Sequence, residues 1–411
     1  MLRHDRWLLS YTFLLLLGSK AYGGDWPGWR GPAGTGVSKE DHLPTQWSTT
    51  ENVRWRINLS GKGVSTPIVV GDRIFLTASE GRKSEQLHVY CFHRVDGRRL
   101  WHTRLLGAAE SEGEFGPGGM AVPTPAADTE HVYVLFGTGE LACLDFEGRP
   151  VWIRSLAQEY GAFRNRWGMG ASPLLLDGLL VILVDHWGSS YLLGVDAATG
   201  RNRWKTARQA AVNWSSPVAA CSGKQIVVSG THKVQGYDAK TGSELWSITG
   251  MQQECISSPI AQGSRVFAAS GPAGLALALR LDGGQSDFPE TKVVWRSRRG
   301  TPNIPSPLCL DEYYYQVGDQ GIATCLSIAT GAELWRERLR GSYHASLVAG
   351  DGKLYFTNLE GVTSVVRAGP KFQLLARCSL GEAIVASPAI SSGQLFFRGE
   401  KHLFCIEKPN R

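Results

Sequence analysis

Beyond residue 23 the sequence lacks any run of about 20 apolar residues, so no segment there is long enough to cross a bilayer as a helix. Charge is sparse, at 19% Asp, Glu, Lys and Arg against 43% apolar residues, which excludes the charged, aromatic-poor composition of disordered chains. The Lys and Arg residues form only short scattered runs, such as Arg296 to Arg299 and Arg336 to Arg340. A nucleic-acid binder concentrates them on one face, so that class is excluded. No Cys and His spacing matches a zinc site, and no Ser has a general base at a defensible spacing. The Gly-rich stretch from Gly113 to Gly119 has neither the Lys nor the strand-to-helix frame of a phosphate loop and reads as a long connection.

Gly and Trp are abundant, with 49 and 14 residues in a chain of 411. Gly supplies positive φ at tight turns and aromatics fill half-buried pleated surfaces, so the composition points to many short strands and an all-β class. Arg3 and Arg6 precede an apolar stretch from Trp7 to Gly18, followed by the small residues Ala21 and Gly23, which reads as a signal peptide over 1–23. Its removal takes away three cations and one anion and lowers the formal charge from +6 to +4. The chain is expected to be exported, to the periplasm or beyond, without a membrane anchor. Residues 24–52 are expected to form an N-terminal extension and 53–411 the folded domain.

One unit recurs every 40 to 50 residues through that domain. Its anchor is Ser-x-Pro or a relative: Ser65-Thr66-Pro67, Pro123-Thr124-Pro125, Ala171-Ser172-Pro173, Ser215-Ser216-Pro217, Ser257-Ser258-Pro259, Pro305-Ser306-Pro307, Ala345-Ser346-Leu347 and Ala386-Ser387-Pro388. Each anchor leads into two short apolar runs separated by a Gly or Asp turn, which predicts a hairpin. A third strand ends in a turn such as Asp196 to Gly200 or Asp238 to Gly242, followed by Trp204 or Trp246, and variants end at Trp101, Trp152, Trp295 and Trp335. The Asp and Thr of this turn bond nearby amides while Gly accepts the left-handed conformation. Four strands per unit and eight units predict an eight-bladed β-propeller of four-stranded antiparallel blades. The last unit stops at Glu407 after three strands, and the strand around Trp55 precedes the first anchor without a blade of its own. That strand is expected to complete the last blade and close the ring.

The eight Cys residues are even in number, yet Cys91, Cys143, Cys325 and Cys405 fall at one position of the third strand in different blades. Equivalent sites around a ring lie beyond the ~7 Å limit for bridging, so they are expected to be small buried thiols. A bridge among Cys221, Cys255, Cys309 and Cys378 stays open.

The stretches Val195 to Trp204, Tyr237 to Trp246 and Ser327 to Trp335 resemble the tryptophan-docking motif of the pyrroloquinoline quinone (PQQ)-like repeat family, and the resemblance covers roughly residues 53 to 407. It implies that each Trp packs against the neighbouring blade. The family contains quinoprotein dehydrogenases, which hold PQQ with calcium over the channel, and non-enzymatic exported propellers of the BamB-like kind. The adjacent Cys pair usual in the dehydrogenases is missing here, and the 388 or so residues left after the signal peptide match the bare-propeller length. The resemblance therefore implies a non-enzymatic binding or scaffold module for protein, peptide or glycan in the cell envelope. A PQQ- and calcium-dependent oxidoreductase is the alternative.

Segments just before each anchor lead from an outer strand to the innermost one and are expected to line the channel mouth. Their long polar and aromatic side chains suit a ligand pocket, and the candidates are Lys62, Arg166, Trp167, Asn213, Trp214, Asn303, His344 and Glu382. The plain alternatives are that Trp167 and Trp214 plug the channel and that His344 satisfies a backbone carbonyl. Several convergent oxygens are needed to hold calcium, and Glu254, Asn303 and Glu382 are the evident candidates. No catalytic or metal residue is assigned.

Overall fold

A computed structural model describes residues 24–408 except 108–115, 117, 166, 253, 272–273, 282–291 and 299. The segment 1–23, expected to be a signal peptide, and the candidate Arg166 lie outside the described residues, as does most of the Gly113 to Gly119 connection. The chain forms eight four-stranded antiparallel sheets, and among the described residues the single α-helix is Leu156–Tyr160. Blades 1 to 7 span residues 68–106, 126–155, 174–207, 218–249, 260–297, 308–338 and 348–379, each from four consecutive strands. Blade 8 orders its strands as Val53–Asn58, His402–Glu407, Gln394–Arg398 and Ala389–Ser391. Its outer pair runs antiparallel, with Trp55 opposite Cys405 and Asn58 opposite His402.

Burial follows from position in the ring. Middle strands are covered on both faces by the adjacent blades, so they read as continuous apolar runs: Leu179–Val184 is buried at every residue. Outer strands have one wet face and alternate, as in Glu244–Thr249, where Trp246 and Ile248 are buried while Ser247 and Thr249 are exposed.

The register explains the recurring Cys. Each third strand shifts by one residue against its outer strand just before the turn, at Cys91/Phe92, Gly194/Val195 and Gly236/Tyr237 for example. The residue before the shift faces the docking Trp: Cys91 opposite Trp101, Cys143 opposite Trp152, Cys325 opposite Trp335, Gly194 opposite Trp204. Only a small residue fits under the indole, since a Cβ at Gly194 would lie 2.3 Å from the Trp204 ring. All eight thiols are unpaired, and burial pushes Cys91, Cys143 and Cys325 up to about 12.

Most docking Trp residues also reach the next blade, whereas Trp246 Nε1 donates to Gln225 of its own blade at 2.9 Å. Trp101 Nε1 donates to the Phe146 carbonyl at 2.7 Å, Trp152 to Ala197 at 2.9 Å, Trp204 to Ala239 at 3.1 Å, Trp295 to Ile328 at 2.9 Å, and Trp55 of blade 8 to Arg94 of blade 1 at 2.9 Å. Blade 7 is the exception, with Ala376 opposite Val365 where a Trp would sit. A Trp there would dock on the turn joining strands three and four of blade 8, and those two strands are not consecutive in the chain. Trp47, from residues 24–52, takes the seam instead, with its ring 6.3 Å from Tyr355 of blade 7 and 5.6 Å from Phe397 of blade 8. The Tyr355 hydroxyl donates to the Pro44 carbonyl at 2.9 Å.

Candidate functional site

The middle residues of the anchors tie blades together, and six of the eight, Ser172, Ser216, Ser258, Ser306, Ser346 and Ser387, line the channel. In seven of the eight the backbone N–H donates to the hydroxyl of the equivalent residue one blade on: Thr66 to Thr124, Thr124 to Ser172, Ser172 to Ser216, Ser216 to Ser258, Ser258 to Ser306, Ser306 to Ser346 and Ser346 to Ser387, all at 2.9 to 3.0 Å. The Thr66 hydroxyl, at the seam where the ring meets itself, is buried without a partner. An accepting hydroxyl still has a proton to give, so the channel wall offers a ring of donors.

Residues 24–52 run across one face of the disc as a strap. Trp26 exchanges backbone bonds with Val69 at 2.8 and 2.9 Å, the Asp25 carboxylate accepts from Gly71 N–H, Ala127 N–H donates to the Pro27 carbonyl, and Ser38 N–H donates to Ala349. Glu40 accepts the Ser392 and Gly393 amides at 2.7 and 2.6 Å. These are all at the far ends of innermost strands, opposite the anchors. Mid-strap, Trp29 Nε1 donates to the Ser258 hydroxyl at 3.3 Å, and Arg30, fully buried, donates to the carbonyls of Ser306 (3.2 Å), Pro307 (2.6 Å) and Thr35 (2.8 Å). Burial pulls the Arg30 guanidinium down to about 10.

Trp29 thus floors the channel and turns it into a chamber of about 420 Å³, walled by the Ser ring, Val64, Val122, Ile256, Ile304 and Val385, with Trp167, Trp214, Glu254 and His344 also lining it. Trp214 is fixed by its Nε1 bond to the Gly168 carbonyl at 2.8 Å, while Trp167 is 53% exposed. Burial holds His344 below the usual imidazole range, which favours its neutral form.

The expected site residues divide accordingly. Trp167, Trp214 and His344 meet in the chamber. Asn213 is fully buried behind it, donating to Ser229 O at 2.7 Å and to Asp185 at 3.2 Å, where Asp185 also pairs with the buried Arg208 at 2.8 Å. It holds the loop carrying Trp214 and is not part of the chamber's lining. Asn303 takes part through its backbone, with N–H donating to Asp319 and carbonyl accepting from Ser257. Glu382 accepts from the Lys401 and His402 amides and meets His402 Nδ1 at 2.5 Å. Lys62 belongs to a second, smaller cavity. Trp29 was not foreseen as a site residue: it sits outside the repeat, and its signal is that 24–52 holds Trp26, Trp29 and Trp47 without a repeat to account for them.

Calcium needs several converging oxygens, and the chamber's lining supplies one carboxylate, Glu254. Among the described residues no group of three or more His, Cys, Asp and Glu side chains converges. The donor set does not fit a calcium-bound quinone.

Comparison with known proteins follows the same line. The family model described as "Outer membrane protein assembly factor BamB" matches residues 38–186 and 188–306. The chain is 28% identical over 247 residues to the outer membrane protein assembly factor BamB of Nitrosomonas eutropha, covering 57% of this chain and 54% of that protein's length. It is 20% identical over 278 residues to the Bordetella pertussis protein of the same name, covering 65% and 67%. Among solved structures, BamB from Moraxella catarrhalis superposes with a TM-score of 0.65 at 15% identity over 87% of this chain and 98% of that one. A europium-containing methanol dehydrogenase does so with a TM-score of 0.66 at 11% identity over 91% and 89%. At such identities these two show a shared fold.

Proposed function

The chain belongs to the outer membrane protein assembly factor BamB family of PQQ-like propellers, and from that membership we propose that it is a non-enzymatic binding module, exported to the cell envelope, that holds a protein or peptide segment in its channel chamber. The observation that carries the reading is the chamber itself. Trp29, Trp167 and Trp214 supply flat apolar area, and the hydroxyl ring supplies donors for a peptide's carbonyls. The strap closes the channel beneath, so a ligand enters and leaves by one mouth. The relatives' names describe factors that assemble outer membrane proteins, and extended segments of such proteins are the partner class to test first.

The test is a titration of the purified protein with extended, aromatic-containing peptides from outer-membrane β-strands, read by tryptophan fluorescence and calorimetry. Saturable binding that Trp167→Ala with Trp214→Ala weakens at least tenfold, with the fold intact by circular dichroism, is the expected outcome. No binding by any such peptide would sink the proposal. The second reading, a quinoprotein oxidoreductase, has behind it only the shared fold with the methanol dehydrogenase, and the chamber's donors do not fit a calcium-bound quinone. A stoichiometric quinone absorbance and dye-linked alcohol oxidation after adding PQQ and calcium would establish it instead.

A further inference from the structure

The seam between blades 8 and 1 holds a cavity of about 270 Å³ whose chemistry differs from that of the chamber. Its lining brings together Lys62, Arg398 and Lys401 with one carboxylate, Glu400. Arg398 ends the second strand of blade 8 and is 3% exposed. Its hydrogen bonds leave from Nη1 alone, to the Ser65 hydroxyl at 2.6 Å and the Ser65 carbonyl at 3.4 Å. Nε is buried with no partner. The nearby carboxylate of Glu382 is already taken by two amides and His402. Burial with no carboxylate alongside pulls the guanidinium down to about 9.

An uncompensated buried cation is costly, by several kcal/mol even after relaxation. Hydrophobic isosteres avoid that penalty, so a guanidinium kept at such a position calls for a partner that arrives from outside. Gly63 shapes the opening: it lines the cavity, and a Cβ there would meet Arg398 Nη2 at 2.2 Å, so the guanidinium edge lies directly against the cavity's glycine wall. The planar fork of an arginine matches the two oxygens of a carboxylate or phosphate, and the exposed Lys62 and Lys401 add positive charge at the rim.

We propose that this seam cavity is an oxyanion site, in which Arg398 receives one carboxylate or phosphate group and Lys62 and Lys401 flank it. It shares Val64 and Val385 with the chamber wall, so an acid group bound here would sit on the same mouth of the disc. The site stands on its own residues whether or not the chamber takes a peptide.

The experiment titrates the full chain separately with inorganic phosphate and with acetate, at ionic strength held constant with chloride, reading calorimetry and the Arg398 Nε–Hε resonance. Saturable binding of at least one anion is expected, with movement of that resonance. Arg398→Gln is expected to weaken it at least tenfold, and the double variant Lys62→Gln, Lys401→Gln about threefold or more. Tighter phosphate binding assigns the site to a phosphate-bearing ligand, and tighter acetate binding to a carboxylate-bearing one. Because Arg398→Gln removes a buried group and can unfold the blade, the exposed double variant decides if that happens. The proposal is overturned if neither anion binds the wild type saturably, if folded Arg398→Gln binds as wild type, or if the double variant leaves affinity unchanged.

Discussion

Replacing Trp47 by alanine tests whether the strap does the work of the docking Trp that blade 7 lacks. The side chain is 4% exposed and lies between Tyr355 and Phe397. A Trp buries about 200 Å², which at ~25 cal/mol per Å² is an upper bound of about 5 kcal/mol. Aromatic contacts add about 0.5–1.5 kcal/mol each. Against this, Trp47 Nε1 is buried without a partner, an unmet donor that costs about 1–3 kcal/mol. The net expectation for Trp47→Ala is a loss of about 3–5 kcal/mol, the range of buried Trp truncations. Trp47→Phe keeps ring contacts and removes the orphan donor, so it should stay within about 1 kcal/mol of wild type. At Trp204, whose Nε1 bonds Ala239 O, the Phe substitution loses a made bond, and Trp204→Phe should cost about 2 kcal/mol. Equilibrium urea unfolding followed by circular dichroism and fluorescence together measures these, provided the two probes coincide. A loss below about 0.5 kcal/mol for Trp47→Ala, or equal damage from Trp47→Phe, would refute the seam role.

Other perturbations address the turn, the hydroxyl ring and pH. Gly242→Ala places a Cβ at φ +72°, 2.4 Å from the Trp204 ring, and should lower stability by about 2 kcal/mol or more in the same unfolding assay. Ser306→Ala strips the acceptor from the buried Ser258 N–H, with an expected loss of about 1–3 kcal/mol and faster hydrogen exchange at that amide. Burial lowers the pKa of His88, His186 and His344 below 6.5, so the unfolded chain takes up protons that the folded one refuses. Stability is therefore full above about pH 6.5 and declines as pH falls below it, and urea midpoints at pH 7.5, 6.5 and 5.5 that stay level or rise would contradict this.

The blade count was legible because the anchor answers a need that arises in every blade, a hydroxyl for the neighbour's N–H, and the docking Trp recurs in all blades but the seventh. The reason for Cys at four equivalent sites was not, since the need for a small side chain there comes from the bulge that sets Cys91 under Trp101. In the site, Trp167, Trp214 and His344 could be placed from their position ahead of the anchors. Asn213 and Glu382 share that position but turn inward, because buried Asp185 and the Lys401 and His402 amides need them more than solvent does. The strap escaped notice for a different reason: each of its contacts is made once, and periodicity cannot flag what does not repeat.

The strap also sets the order of assembly. Made first, it finds its partners in stages: Trp26 pairs with Val69 of blade 1, but Arg30 waits for Ser306 and Pro307, Ser38 for Ala349, and the strand that follows it for His402–Glu407. Blades 1 to 7 can form by local hairpin pairing as the chain emerges, but the latch has nothing to close on until residue 407 is out. Trp47 waits for Tyr355 and Phe397, and the Trp55 strand for His402–Glu407, so two indoles at the leading end of the domain stay without these partners until the last blades are made.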